Sequence, residues 1–174
     1  ASEKGKLVSL AEYVKRMPAE QKEIYYLLAP NRESAESSPY FEVFKARKFE
    51  VLFLSDPWDE FVMEHLHEFE GKSLRPAEKA ELDTEAAKGE GLSDADAEAL
   101  AKWIKESLGE KVAAVRVSKR LVDSPAVILD SDKFMTSSMR RILRSVQKDS
   151  TAEAKYDLEI NPRHAVICRL ESMR

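Results

Sequence analysis

Two short apolar segments in the first third of the chain limit its fold more than any other feature. Residues 23–28 (Glu-Ile-Tyr-Tyr-Leu-Leu) and 49–54 (Phe-Glu-Val-Leu-Phe-Leu) are each followed by turn-forming residues. Short, nearly continuous apolar runs of this kind are typical of strands that are buried on both faces. The residues between them, 38–48, have the pattern of an amphipathic helix. A strand, a helix and a second strand in this order predict a parallel sheet covered by helices.

Further helices extend this α/β pattern. Ser9 and Glu12 have the spacing of a capping box, which predicts a helix that ends at Pro18. Asp56 is an N-cap candidate for another helix, and residues 68–74 form a weaker strand candidate. The apolar and aromatic residues of the helix after Asp56 fall on one stripe, which consists of Trp58, Phe61, Val62, His65 and Phe69.

The stretch from Arg75 to Glu98 differs in composition, with eight acidic and three basic residues. We interpret residues 75–92 as a solvated connector. The chain is therefore predicted to form two domains, an α/β domain over 1–90 and an α+β domain over 91–174. The elements predicted for the second domain are helices over 93–108 and 134–147 and strands over 112–117, 126–129 and 156–160.

Composition excludes several classes of function. The chain of 174 residues is 43% apolar and has a net charge of −4, which argues against nucleic acid as its main partner. It contains neither an apolar run long enough to span a membrane nor a glycine-rich phosphate-binding loop. The single cysteine, Cys168, excludes an internal disulfide and fits a reducing compartment.

Several segments, in order, resemble the heat shock protein 90 chaperone family, its bacterial HtpG type included. The resemblance extends from Ser9 to about Val166 and is carried by the order and spacing of many short motifs. These motifs are Ser9-Leu10-x-Glu12-Tyr13-Val14-x-Arg16-Met17-Pro18, Ser38-Pro39-Tyr40-Phe41-Glu42, Asp56-Pro57-x-Asp59-Glu60-Phe61, Phe69-Glu70-Gly71-Lys72, Leu121-x-Asp123-Ser124-Pro125-Ala126 and Met139-x-Arg141-Ile142.

The resemblance implies a fragment from the end of the middle segment and the first part of the C-terminal domain. It implies that the ATP and Mg²⁺ site of the full-length protein lies in a missing N-terminal domain, so this chain is expected to be no enzyme and to need no cofactor. The resemblance also implies a cytoplasmic protein that is dimeric at full length, with its main dimer contact in helices that would follow Arg174. We therefore expect a monomer or a weak dimer that binds partly unfolded client proteins.

The helix around Met139 is the first candidate for client binding. Met135, Met139 and Ile142 lie on an apolar stripe, with arginines on the opposite face. Methionine side chains adapt to varied partners, although most amphipathic stripes of this kind pack against their own domain. The resemblance favours client contact for Phe134, Met135 and Met139.

The turn after the second strand is the other candidate. The resemblance assigns client binding to Glu60 and Phe61, whereas Asp56 and Asp59 are interpreted as helix caps. Trp58 fits an ordinary core position. Two other functions stay open: a scaffold or dimerisation piece without client contact, and a small enzyme that uses the carboxylates at this strand end.

Two other groups of residues are weaker candidates for chemistry. His65 and His67 are separated by about 200° on a helix, so they cannot share a metal ion there. His164 and Cys168 form a conceivable nucleophile pair without a visible orienting partner. We predict no metal, nucleotide or catalytic site in this chain.

Overall fold

The computed structural model of the chain describes residues 7–56, 58–82, 91–131 and 156–174. It has two compact units, Ala1–Glu81 and Leu82–Arg174. Both units combine helices with a small sheet. The predicted mixture of α and β structure is therefore confirmed.

The first unit contains a four-stranded sheet in the order β2-β1-β4-β3. Its strands are β1 (Ile24–Leu28), β2 (Val51–Leu54), β3 (Glu68–Phe69) and β4 (Lys72–Pro76). Strand β1 is parallel to both β2 and β4, as the buried apolar runs predict. Strands β3 and β4 are antiparallel, so the sheet is mixed rather than wholly parallel.

The single strand expected over 68–74 is instead a hairpin. Glu70 and Gly71 both have positive φ angles, 49° and 72°, as a tight two-residue turn between antiparallel strands requires. Pro76 ends β4, and the short 3₁₀ turn Ala77–Lys79 follows it with Ala77 buried. These residues belong to the stretch that was interpreted as a solvated connector.

Four helices accompany this sheet: α1 (Leu10–Arg16), α2 (Arg32–Glu36), α3 (Glu42–Arg47) and α4 (Asp59–His65). The capping box of Ser9 and Glu12 is present at the start of α1. Helix α2 was not expected from the sequence, and α3 begins at Glu42 rather than Ser38.

Alternating side chains of the strands pack in two directions. Ile24 and Tyr26 form a buried cluster with Tyr13 of α1, and Met63 of α4 packs against this cluster. Tyr25 contacts Phe44 of α3, with ring centroids 4.8 Å apart. The strands therefore have apolar contacts on both faces, which explains their continuous apolar sequence.

The hydroxyl group of Tyr13 connects α1 to two strand ends. It accepts hydrogen bonds from the backbone N–H of Tyr25 at 3.0 Å and from Nε2 of Gln21 at 2.7 Å, and it donates to the carbonyl of Glu50. Burial raises the pKa of Tyr13 to about 12, because the charged phenolate would be poorly solvated there. The hydroxyl is thus a buried polar group whose donor and acceptor capacity are both used.

The second unit contains a three-stranded sheet in the order β5-β7-β6. The strands are β5 (Ala114–Val117), β6 (Ala126–Asp130) and β7 (Tyr156–Ile160), with β5 parallel and β6 antiparallel to β7. Helix α5 (Asp94–Leu108) buries Leu100, Ala101 and Ile104 against Ile160. Helix α6 (Ala165–Met173) adds Ile167 to the same cluster.

Candidate functional site

The surface of α4 is the candidate that the described residues support, and its position depends on the turn after β2. The backbone N–H of Asp56 donates to Oδ2 of Asp59 at 3.0 Å. In return, Oδ1 of Asp56 accepts from the backbone N–H of Trp58 at 2.9 Å. The two carboxylates thus satisfy backbone groups of the turn before the helix. The predicted N-cap at Asp56 is wrong, because the N-cap of α4 is Trp58, which makes no side-chain cap hydrogen bond.

The aromatic stripe of α4 faces solvent, so the interpretation of Trp58 as a core residue is wrong. Trp58 is 73% exposed, Phe61 is 49% exposed and Val62 is 51% exposed. The rings of Trp58 and Phe61 contact each other with centroids 5.7 Å apart and an interplanar angle of 46°. We call Trp58, Phe61 and Val62 the α4 apolar surface.

The opposite side of α4 makes the contacts with the core. Met63, which lies about 200° around the helix from Phe61, packs against the buried cluster together with Leu66. Phe69 was placed on the same stripe, but the helix ends at His65 and Phe69 belongs to β3. Because the helix is so short, these few inward contacts determine which of its faces is exposed.

Glu60 is directed into the protein and is only 6% exposed. Burial, together with the smaller effect of the negative charges of Glu60 and Glu78, raises the pKa of Tyr26 to about 12. The carboxylate of Glu60 is therefore close enough to act on a buried tyrosine of β1. The structure does not bring Glu60 and Phe61 together on one exposed surface, although they are adjacent in the sequence.

Phe134, Met135 and Met139 lie outside the described residues. Their proposed client contacts stay a prediction. The same holds for the rest of the helix predicted over 134–147.

The carboxylates after β2 do not form the acidic pocket that the enzyme hypothesis needs. Asp56 and Asp59 bind backbone groups of the turn, whereas Glu60 points inward. This arrangement favours a structural role for all three. It leaves the α4 apolar surface as the chemically distinctive feature, and that surface offers aromatic and aliphatic contact rather than proton transfer.

The histidines and the cysteine also have local partners. Nδ1 of His65 lies 2.9 Å from the carbonyl oxygen of Phe61. Nδ1 of His164 accepts from the backbone N–H of Val166 at 3.2 Å, and Sγ of Cys168 donates to the carbonyl of Pro162 at 3.3 Å. His164 and Cys168 thus each make a separate hydrogen bond with the backbone around the start of α6.

The described residues offer neither a metal site nor a membrane-spanning helix. Within residues 7–56, 58–82, 91–131 and 156–174, no cluster of three His, Cys, Asp or Glu side chains could hold a metal ion. In the same part of the chain, no helix has the length and apolarity needed to cross a membrane.

Sequence reasoning identified Phe61 but missed Trp58 and Val62 as surface residues. The signal that could have found them is the second apolar pair on this segment, Met63 and Leu66. A helix of two turns can pack only one of its sides against a sheet. If it has apolar residues on both sides, those on the other side are exposed. Periodicity alone cannot say which side is exposed.

The amino-acid sequence is similar to those of several known proteins over nearly its whole length. The chain is 41% identical over 175 residues to the chaperone protein HtpG of Desulfitobacterium hafniense, which covers 98% of this chain and 28% of that relative. It is 39% identical to HtpG of Desulfotalea psychrophila, over 99% of this chain and 30% of the relative. It is 42% identical to HtpG of Chlorobium phaeovibrioides, in a match that covers 97% of this chain and 27% of that relative. The chain thus spans less than a third of the length of these relatives.

These shares correct two predictions that were drawn from the resemblance. One placed the nucleotide site of the full-length protein in a missing N-terminal domain and concluded that this chain is not an enzyme. The other concluded that the chain needs no ATP or Mg²⁺. A match between 98% of this chain and 28% of a relative does not place the nucleotide site in a missing segment. Both predictions are therefore wrong.

The family model described as Hsp90 protein matches residues 1–174, which is the whole chain. The ordered motifs from Ser9 onward agree with this match, and so do the identities of about 40% to several HtpG chaperones. The chain belongs to the Hsp90 family.

Proposed function

We propose that this chain is a client-binding part of a molecular chaperone, and that the α4 apolar surface contacts exposed hydrophobic segments of partly unfolded proteins. The observation that carries the proposal is the pair of exposed, touching aromatic rings on α4. Large exposed apolar side chains lose contact with water when they bind an apolar partner, which is favourable by about 25 cal/mol per Å² of apolar area. Contiguous exposed apolar groups often mark interaction sites.

The position of this surface supports the proposal further. The rings project from a helix whose start is secured by Asp56 and Asp59 and whose inner side packs through Met63. A surface on such a supported helix loses little conformational entropy on binding. A tryptophan and a phenylalanine in tilted contact also tolerate many partner sequences, as a chaperone requires.

Glu60 has a different role in this proposal from the one the resemblance implies. Its buried carboxylate supports the orientation of α4, and Phe61 is the residue of the pair that meets the client. Phe134, Met135 and Met139 are proposed to provide a second client contact, which rests on the resemblance and on the adaptability of methionine.

The two units, Ala1–Glu81 and Leu82–Arg174, are proposed to correspond to the small α/β subdomain of the middle segment and the first part of the C-terminal domain, with the boundary after Glu81 instead of the predicted residue 90. The order of the motifs supports this placement. In the full-length protein, ATP-driven changes in domain position would then alter the surface presented to clients. A cytoplasmic homodimer is proposed for the full-length protein on the basis of the resemblance to the family.

The test is the affinity of the chain for a permanently unfolded, carboxymethylated model protein. We compare the unchanged chain with a Trp58→Ser/Phe61→Ser variant. We expect binding to weaken by about tenfold, the size of effect that the loss of a single aromatic anchor commonly produces. Equal binding by the two proteins would refute a role for the α4 apolar surface.

A matched control comes from the second unit. Ile128 and Val166 are 58% and 59% exposed, so Ile128→Ser/Val166→Ser removes a similar degree of apolar exposure elsewhere. We expect this variant to bind like the unchanged chain. An equal loss in both variants would show general stickiness instead of a defined surface, and circular dichroism checks that both variants are folded.

A further inference from the structure

The first unit has a groove of about 810 Å³ beside strand β2. Among the described residues, β2 is the end strand of its sheet, with β1 on one side only. The residues that line the groove come from β2, from α1 and its flanks, and from the α2–α3 region. No residue of α4 lines it, so this groove is distinct from the α4 apolar surface.

The backbone of β2 directs hydrogen-bonding groups into this groove. The carbonyl of Leu54 accepts from the N–H of Ala29 at 3.0 Å, so Leu54 points its backbone groups toward β1. Successive residues of a strand direct these groups to opposite sides. Val51 and Phe53 therefore direct their N–H and C=O groups to the outer edge of the sheet, where a further strand would find them.

The walls of the groove suit apolar side chains. Phe53 packs edge-on against Phe41, with ring centroids 5.0 Å apart. Leu7, Val8 and Val51 also line the space, and Leu7 is almost fully exposed. Side chains of an added strand alternate in direction, so every second one would meet this apolar wall.

The groove also has an excess of positive charge. Its lining contains the basic residues Arg16, Arg32, Lys45 and Lys48 and the acidic residues Glu36 and Glu50. Both acidic residues form ion pairs with arginines, Glu50 with Arg16 and Glu36 with Arg32. The charges of Lys45 and Lys48 are thus left in excess over the acidic groups of the groove, and both lysines are exposed.

We propose that this groove binds an extended peptide segment that adds to the outer edge of β2 as a further strand. On the sheet face that meets α3, the segment has both apolar and acidic side chains, since Phe53, Phe41 and the α3 lysines share that face. Its backbone pairs with Val51 and Phe53, its apolar side chains contact the aromatic wall, and its carboxylates meet Lys45 and Lys48. Main-chain pairing provides affinity in this mode of recognition, and the side chains provide selectivity.

The first test uses a fluorescent octapeptide, Ser-Val-Ser-Glu-Ser-Val-Ser-Glu, whose valine and glutamate side chains share one face of an extended strand. Its binding to the whole chain is measured by anisotropy. A matched peptide carries N-methyl groups on alternate backbone amides, which remove its donors toward β2 but keep its charge. We expect binding of the methylated peptide to weaken by about tenfold or more, since strand pairing depends on these donors. Equal affinity of the two peptides would overturn strand addition.

The second test reverses the charge of the groove. We expect Lys45→Glu/Lys48→Glu to weaken the peptide by about fivefold at low salt and less at high salt, because exposed charges are screened. The control is Lys15→Glu/Lys22→Glu, which changes the same charge at exposed lysines outside the groove. Equal losses in both variants would mean that net charge alone attracts the peptide, and would overturn the assigned site.

The third test needs no substitution and therefore does not depend on a variant that folds. Hydrogen exchange of the unchanged chain is followed with and without the peptide. We expect the amides of Val51 and Phe53 to exchange at least several times more slowly in the complex, because they become paired. Unchanged exchange at both amides would overturn the proposal. The lysines would then serve only to protect an exposed sheet edge against aggregation.

Discussion

Helices α4 and α5 have apolar stripes in their sequences, but they use them in opposite ways. Helix α5 buries Leu100, Ala101 and Ile104 in the core of its unit. Helix α4 instead exposes Trp58 and Phe61. The comparison shows that an amphipathic pattern identifies the faces of a helix without deciding which of them meets the core.

Length explains much of this difference. Helix α5 has 15 residues, so its stripe covers about four turns, and its opposite face is polar. Helix α4 has seven residues and has apolar side chains on both sides. A long, one-sided helix has only one good way to pack, whereas a short helix is oriented by the chain on either side of it.

The largest change in the free energy of unfolding is expected from a substitution in the buried stripe of α5. Leu100→Ala should destabilise the second unit by about 2–5 kcal/mol, because it removes a fully buried side chain and leaves a cavity. Denaturant unfolding followed by the fluorescence of Trp103 measures this loss. A Trp58→Phe background makes Trp103 the sole tryptophan of the chain. A change below about 1 kcal/mol would contradict the assigned packing of this helix.

The next prediction is that the two units lose stability at different alkaline pH values. Burial raises the pKa values of Tyr13, Tyr25 and Tyr26 to about 12, above the value of 10.0 for a free tyrosine. Between pH 10 and 12 the unfolded state loses these protons first, so the stability of the first unit falls as the pH rises through this range. The stability contribution is complete below pH 10.

Hydrogen exchange resolved by residue, or unfolding monitored at Trp58 and Trp103 separately, measures this pH dependence. The second unit contains one tyrosine, Tyr156, so we expect the first unit to be lost at lower alkaline pH. Tyr13→Phe serves as a comparison, because it removes one of the titrating hydroxyls. Equal alkaline sensitivity of the two units would contradict the prediction.

A smaller effect concerns the starts of the two helices. Oγ of Ser93 accepts from the N–H of Asp96 at 3.2 Å at the start of α5, whereas Oδ1 of Asp56 accepts from the N–H of Trp58 at 2.9 Å in the turn before α4. Ser93→Ala and Asp56→Ala should each cost about 1 kcal/mol, the usual value of a cap or of one net hydrogen bond. Urea unfolding of each variant measures the loss, and a value near zero for Asp56→Ala would reopen a chemical role for that carboxylate.

The smallest effect is expected on the exposed face of α4. Phe61→Ser should change the free energy of unfolding by no more than about 0.5 kcal/mol, as surface substitutions usually do. A loss of 2 kcal/mol or more, on the order of a core truncation, would show that Phe61 is buried in solution. Thermal and urea unfolding make the measurement, with Met63→Ser on the inner face as the more destabilising control.

Much of the local structure follows from the sequence. The apolar runs predicted β1 and β2, and Ser93 and Gly109 predicted the ends of α5 almost to the residue. The capping box predicted the start of α1. These features depend on interactions within a few residues, so a single sequence shows them directly.

The features that were missed depend on more distant contacts. The hairpin of β3 and β4 replaced a single strand because Glu70 and Gly71 adopt positive φ angles, and β4 then pairs with β1. Glu60 and Phe61 were predicted to act together, but neighbouring positions on a helix point about 100° apart. Only the position of α4 against the sheet placed one of them inside and the other outside.

The sequence by itself determined the family, most of the elements in their order, and the residues that share one face of each long helix. Tertiary structure decided which faces are exposed: the α4 apolar surface, the inward turn of Glu60 and the outer edge of β2. The physical reason is that local patterns follow from backbone geometry and short-range hydrogen bonds. Exposure depends on which side of an element gains more by packing, and that is settled only by residues far away in the chain.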